Sequence, residues 1–272
     1  MGHRLRLITT CFILVAIAGL LSWHSQQHMN RVYKPIKVGV SAGPQSEIMG
    51  LVKTLVAKDG LDLQIVKYTD YSKLNESLYR EDISINSFQH QPYLDLVLQD
   101  HNYDLSALAK TILLPIGIYS KKINTLANLP PGSKVAIPKD LLNGSRALLL
   151  LEKAGLIVCQ NTTSRYIKTL DDIKDNPKNL SFIQVDATQI ASIIDMVDLA
   201  LINASYVASI NLIPTRDALV LEDTDSPYVN LLVVRTKDIA NPDLLAIANA
   251  YRSEEVKNFV KEHFQGTMIT AW

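Results

Sequence analysis

The chain has 272 residues, and its 27 basic and 27 acidic side chains give a formal net charge of zero. That balance argues against a nucleic-acid binder, which carries a basic excess on at least one face. With 47% hydrophobic and 20% charged residues the chain can fill a substantial core, and its two Cys exclude a disulfide scaffold or a zinc site built from several thiolates.

In chain order, the first element is a leader. Arg4 and Arg6 precede an apolar stretch from Leu7 to about Trp23, and a polar spacer follows. A basic start ahead of an apolar run is the build of an export signal. Residues 1–30 are therefore set apart as signal or anchor segment plus spacer, which places the rest in the periplasm or at the cell surface. Ala16-Ile17-Ala18 offers small residues for cleavage, while Leu7 to Trp23 is near the lower limit of about 17 residues for spanning a bilayer, so an uncleaved inner-membrane anchor is the alternative. Leu20-Leu21-Ser22 has the form of a lipobox start, but Trp23 stands where the lipid-bearing Cys would be, so lipidation is not supported.

From Ile36 strand-like and helix-like pieces alternate. Ile36–Val40 is a strand, and Gly43-Pro44 opens a helix with Ile48, Leu51, Val52, Leu55 and Val56 on one stripe, closed at Gly60. Leu61–Val66 reads as a strand, Ser72–Tyr79 as a helix, Ile83–Ile85 as a strand and Gln91–Gln99 as a helix. Ile112 to Tyr119 is an extended apolar segment that Pro115 keeps out of a helix. Then come a strand at Lys134–Ile137, a helix from Asn143 to Lys153 ending at Gly155, and strands at Phe182–Val185, Leu199–Ile202, Leu219–Leu221 and Val229–Val234. Asn241-Pro242-Asp243 opens a further helix, and the last runs from about Ser253 to Phe264. This alternation predicts α/β layers with largely parallel sheets. Two such series joined near 110 and 225 predict a bilobed protein with its ligand between the lobes: 31–110 plus 226–272 in one, 111–225 in the other.

Four places carry candidate chemistry. Arg146 lies in LLNGSRALLLLEKAG, where Asn143 is expected to cap the helix and Arg146 to fall in the first turn. A guanidinium beside helix N-terminal amides makes a carboxylate site; an exposed Arg whose stem covers apolar surface is the plainer alternative. The run Ser87 to Asp95 sets Phe88, His90 and Tyr93 at a strand-to-helix junction, where ligands of open α/β sheets sit. Tyr71 opens a helix after a strand in the same way. Asn203 directly follows a strand and Asn230 interrupts an apolar run, so each needs a partner for its amide, a ligand or simply the backbone.

No GxSxG, HExxH, GxGxxG or Walker loop is present, and His90, His101 and His263 have no metal spacing. Neither a catalytic residue, a metal nor a cofactor is expected. A hydrolase using Cys159 with His90 has nothing in the sequence to support it; Cys159 reads as a small buried hydrophobe.

ISINSFQHQPYLD, LLPIGIYSKKI, SRALLLLEKAGLI, ALINASYV, DSPYVNLLVVR and the closing Trp272 closely resemble the NlpA-type methionine-binding lipoproteins, receptors of bacterial methionine ABC importers. The similarity runs in order from Lys34 to Trp272. It implies a two-lobed periplasmic binding protein that closes on methionine, with two extended crossovers, no enzymatic activity and a permease with its ATPase as partner. By resemblance, Arg146 clamps the α-carboxylate, Asn203 and Asn230 hold the ammonium and carboxylate, and Tyr71, Phe88, His90 and Tyr93 enclose the thioether. It implies a monomer that contacts no nucleic acid. There are two departures: Trp23 replaces the lipidated Cys, and Gln45 replaces a His commonly found after the Gly-Pro. Alternatives are a related receptor drifted to another amino acid or a dipeptide, and a surface interaction protein that has lost transport.

Overall fold

The computed structural model describes residues 35–41, 43–161 and 166–272; the leader assigned to 1–30 lies outside them. Among the described residues no helix is long and apolar enough to cross a membrane.

The first half runs β1 (Ile36–Ser41), α1 (Pro44–Ala57), β2 (Leu63–Tyr68), α2 (Ser72–Tyr79), β3 (Ile85–His90), α3 (Gln91–Asp100), β4 (Leu105–Lys110), β5 (Ile112–Leu113) and β6 (Ile116–Tyr119). Next come β7 (Lys134–Pro138), α4 (Leu141–Lys153), β8 (Val158–Cys159), β9 (Ile173–Asp175), β10 (Ser181–Val185), α5 (Ala187–Ile190) and β11 (Leu199–Asn203). The chain closes with α6 (Ala204–Val207), α7 (Pro214–Asp217), β12 (Val220–Leu221), β13 (Asn230–Arg235), α8 (Pro242–Tyr251), α9 (Glu254–Phe264) and β14 (Ile269–Thr270).

Two five-stranded sheets organise these elements, in the orders β2-β1-β3-β13-β4 and β10-β7-β11-β6-β12. Each contains a single strand opposed to the rest: β13 is antiparallel to β3 and β4, and β6 to β11 and β12. Both opposed strands are the ones that enter a sheet from the other half of the molecule. The parallel strands end toward the space between the sheets, so a chain arriving from that side must run the reverse way. Hence the carboxyl ends of β1, β3 and β11 and the amino ends of β6 and β13 meet at one cleft, the place where open α/β sheets hold ligands.

Alternation along the strands feeds a core on each face. Leu232 and Val234 pack with Ile48, Val52, Ile247 and Tyr251, while Leu231 and Val233 face Leu74, Leu78 and Leu94. In the second sheet Val135, Ile137, Leu199 and Leu201 pack under Ala147, Leu148 and Leu151, and Ala136, Ala200 and Ile202 cover Ile190, Ile194 and Val207. Each fully buried aliphatic side chain contributes roughly 1.5–3 kcal/mol, so both halves have cores of their own.

The two crossovers lie side by side. Thr111 donates both its N–H (2.8 Å) and its hydroxyl (2.9 Å) to the Asn230 carbonyl, and the Glu222 N–H reaches the Ile116 carbonyl at 3.0 Å. Leu113, Tyr228 and Val229 form a small cluster with Leu149 and Ile269, and β14 pairs with β5, so the C-terminus fastens the first crossover.

Two local expectations are corrected. Asp140, not Asn143, caps α4: its Oδ1 accepts the Asn143 N–H at 2.9 Å. The helix begins at Leu141, which makes Arg146 its sixth residue and removes it from the first turn. A carboxylate is a strong acceptor for the orphan amides, and Asp140 stands directly before Leu141, where the helix starts. The strand read at Ile83–Ile85 is displaced: β3 begins only at Ile85 and runs to His90, with the polar Asn86, Ser87 and Gln89 buried within it.

Candidate functional site

Four of the seven residues singled out in the sequence line one cavity. Tyr71, Phe88, His90 and Tyr93, together with Ser41, Gln45, Gln89, Leu114 and Ser205, enclose a space of about 400 Å³. Ser41 and His90 end parallel strands, Tyr71 is the residue before α2, Leu114 belongs to the first crossover, and Ser205 follows β11 in the other sheet. Both halves therefore contribute to the wall. Tyr71, 60% exposed, forms its rim.

The aromatic residues hold one another. Phe88 and Tyr93 meet edge to face at 5.8 Å between centroids. His90 caps α3 by accepting the Tyr93 N–H on Nδ1 at 3.3 Å, which fixes the ring and leaves Nε2 as its donor. Burial, with the Arg146 charge adding to it, lowers the His90 pKa to about 4, so the ring is neutral at pH 7.

Beneath this wall lies a closed amide network. Asn75 of α2 donates to Gln89 Oε1 (2.8 Å) and accepts from Gln89 (2.6 Å) and Asn86 (2.9 Å), and Gln89 also donates to Asn86 at 3.1 Å. All three residues are at most 2% exposed. The network ties α2, which Tyr71 precedes, to the strand that carries Phe88 and His90.

Arg146 is not in that lining. Its Nε donates to both Glu222 carboxylate oxygens at 2.9 and 2.8 Å, and its Nη2 donates to Glu222 Oε2 and, at 2.7 Å, to the Leu114 carbonyl. The guanidinium carbon lies 5.0 Å from the centre of the Tyr228 ring, and Tyr228 in turn meets His90 edge to face at 5.0 Å. Arg146 is thus two contacts from the aromatic wall, behind Leu114 and Tyr228. Its Nε–Nη2 edge is engaged, while Nη1 makes no hydrogen bond among the described residues. The start of α4 sits tightly on β7: a Cβ at Gly144 would lie 2.9 Å from the Pro138 carbonyl oxygen.

Asn203 ends β11 opposite Ile116, and its Nδ2 donates to Asn143 Oδ1 at 2.8 Å while Oδ1 is buried without a partner. Asn230, 8% exposed, opens β13 opposite His90.

Sequence reasoning named Gln45 only as a departure from the resembled family, and it missed Ser41, Gln89, Leu114, Ser205, Tyr228 and Glu222. Ser41 and Ser205 had a usable signal, since each stands at or just past the carboxyl end of a strand. Tyr228 and Glu222 had none, because their roles come from the meeting of the crossovers.

Among the described residues no group of three His, Cys, Asp or Glu is placed to hold a metal ion. Cys159 is buried, and burial together with Glu152 pushes its thiol up to about 11, far from a reactive thiolate.

The family profile described as NlpA lipoprotein matches residues 36–272. The D-methionine-binding lipoprotein MetQ of Escherichia coli (strain K12) is 40% identical over 241 residues, which cover 87% of this chain and 88% of that protein. Among solved structures, a nutrient binding protein from Burkholderia cenocepacia bound to methionine is 42% identical with a TM-score of 0.68, covering 87% of this chain and 100% of that one. A periplasmic substrate-binding protein of an ABC transporter from Coxiella burnetii is 38% identical with a TM-score of 0.69 over the same 87% of this chain and 100% of its own.

Proposed function

The chain belongs to the NlpA lipoprotein family, and we propose that it is a non-enzymatic extracytoplasmic receptor that captures methionine, or a close analogue, and delivers it to the permease of an ABC transporter. The observation that carries this reading is the cavity of about 400 Å³ to which both halves contribute, within the roughly 300–1,000 Å³ of small-molecule sites. Its aromatic side, with a neutral His90, suits an unbranched thioether. Tyr71, Phe88, His90 and Tyr93 take the side chain; Arg146, Asn203 and Asn230 take the zwitterionic end.

Arg146 meets the carboxylate through Nη1, the nitrogen not engaged by Glu222 or Leu114. One charge-assisted hydrogen bond replaces the parallel pair that a free guanidinium edge would give. The lobes comprise 31–110 plus 226–272 and 111–225, and they close by hinge motion at the paired crossovers. The receptor acts as a monomer in the periplasm or at the cell surface. Its first 30 residues direct export and, if uncleaved, anchor it to the inner membrane; with Trp23 there, no lipid is attached at that position.

Gln45 favours a second reading. It lines the cavity where the resembled family commonly carries His, and the reading it favours is a related receptor drifted to another amino acid or a dipeptide. Mass spectrometry of the protein purified without added ligand separates the two. Retained methionine supports the first reading, another retained amino acid or dipeptide the second, and an empty protein that also fails to bind methionine in a titration contradicts the first.

A further inference from the structure

Asn203 could present either end of its amide to a ligand, and the two ends have opposite preferences: the oxygen accepts from an ammonium, the nitrogen donates to a carboxylate. A chain of hydrogen bonds decides between them. It starts at Asp140, whose ionised carboxylate accepts only. Asp140 Oδ1 takes the Asn143 backbone N–H at 2.9 Å and Asn143 Nδ2 at 3.1 Å, and Oδ2 takes Nδ2 at 3.3 Å. With Nδ2 committed to Asp140, Asn143 must turn its Oδ1 the other way, where it accepts Asn203 Nδ2 at 2.8 Å. Asn203 Nδ2 is thereby engaged, and Asn203 Oδ1 is left buried without a donor. An amide oxygen in that state is costly to keep unless something supplies the missing proton donor.

We propose that Asp140 and Asn143 are positioning residues that fix the polarity of the Asn203 amide so that it offers oxygen to the ammonium group of the ligand. This rests on the amino-acid receptor reading above, and it divides the polar work: Asn203 binds the ammonium, and Arg146 and Asn230 are left for the carboxylate. The placement agrees. Asn143 and Arg146 are three residues apart on α4 and so share a face of that helix. Asn203 sits two residues before Ser205, which lines the cavity.

The test is calorimetric, with L-methionine and its analogue lacking the amino group, 4-(methylthio)butanoate. Asn143→Ala frees the Asn203 amide to turn over; methionine affinity falls about tenfold while that of the analogue changes less than about twofold. Asn203→Asp presents oxygen whichever way it turns, so adding Asn143→Ala to it costs methionine no more than about twofold. Equal losses for both ligands in Asn143→Ala, or no loss for methionine, overturn the relay, as does a further loss of about tenfold when Asn143→Ala is added to Asn203→Asp. If the unaltered protein does not bind methionine, the receptor reading falls and the relay with it; if it binds and the ratios fail, only the relay falls.

Discussion

Arg146 and Glu222, 76 residues apart in sequence, form a buried ion pair that joins α4 to the start of the second crossover. Their side chains are 10% and 8% exposed. Glu222 is further satisfied by the Ile116 N–H at 3.0 Å and the Ser226 hydroxyl at 2.6 Å, so it draws together the helix and both crossovers.

Removing one partner of such a pair leaves an uncompensated buried charge. Glu222→Ala is expected to cost about 3–5 kcal/mol of stability. Chemical denaturation measures it; a loss under about 1 kcal/mol, the level of an exposed pair, would contradict the buried assignment.

His90 gives the protein a pH dependence of known sign. Its pKa is lowered from 6.5 to about 4, first by burial and then by the Arg146 charge. Between those values the unfolded chain binds a proton that the folded chain does not. Stability from this group is therefore present above about 6.5 and is lost as pH falls toward about 4, with a slope of up to about 1.4 kcal/mol per pH unit. Asn at 90 can still cap α3 and does not titrate. Denaturation midpoints collected from pH 7 to pH 4 should fall more steeply for the unaltered protein than for His90→Asn, and parallel curves would refute the shift.

Substituting Asn75→Leu strips both the donor and the acceptor from the amide network and strands buried groups on Asn86 and Gln89. Each stranded group costs about 1–3 kcal/mol, so the loss is at least ~2 kcal/mol by urea unfolding. Methionine affinity should fall with it, since Tyr71 loses its tie to β3. A stable variant with unaltered affinity would show that the network neither supports the fold nor places the wall.

Most of the layer order was legible in the sequence, because hydrophobic spacing reports directly on buried faces: the α1 stripe of Ile48, Val52 and Val56 is buried as its period requires. The cap of α4 and the length of β3 were not. Asp140 acts through a carboxylate two residues beyond Pro138, and Asn86, Ser87 and Gln89 are polar residues buried in a strand, a pattern that propensity reads as the end of one. The cavity wall followed from Phe88, His90 and Tyr93 at a strand end. The partner of Arg146 did not, because Glu222 reaches it only through the crossing of two segments far apart in the chain.

The affinity for methionine of Arg146→Ala, measured by calorimetry in a Glu222→Gln background so that no unpaired carboxylate faces the ligand, tests the carboxylate assignment most directly. Relative to Glu222→Gln alone, a loss of at least ~2–3 kcal/mol is expected, because the ligand carboxylate is left buried without its cation. Equal affinities for the two variants would contradict the account.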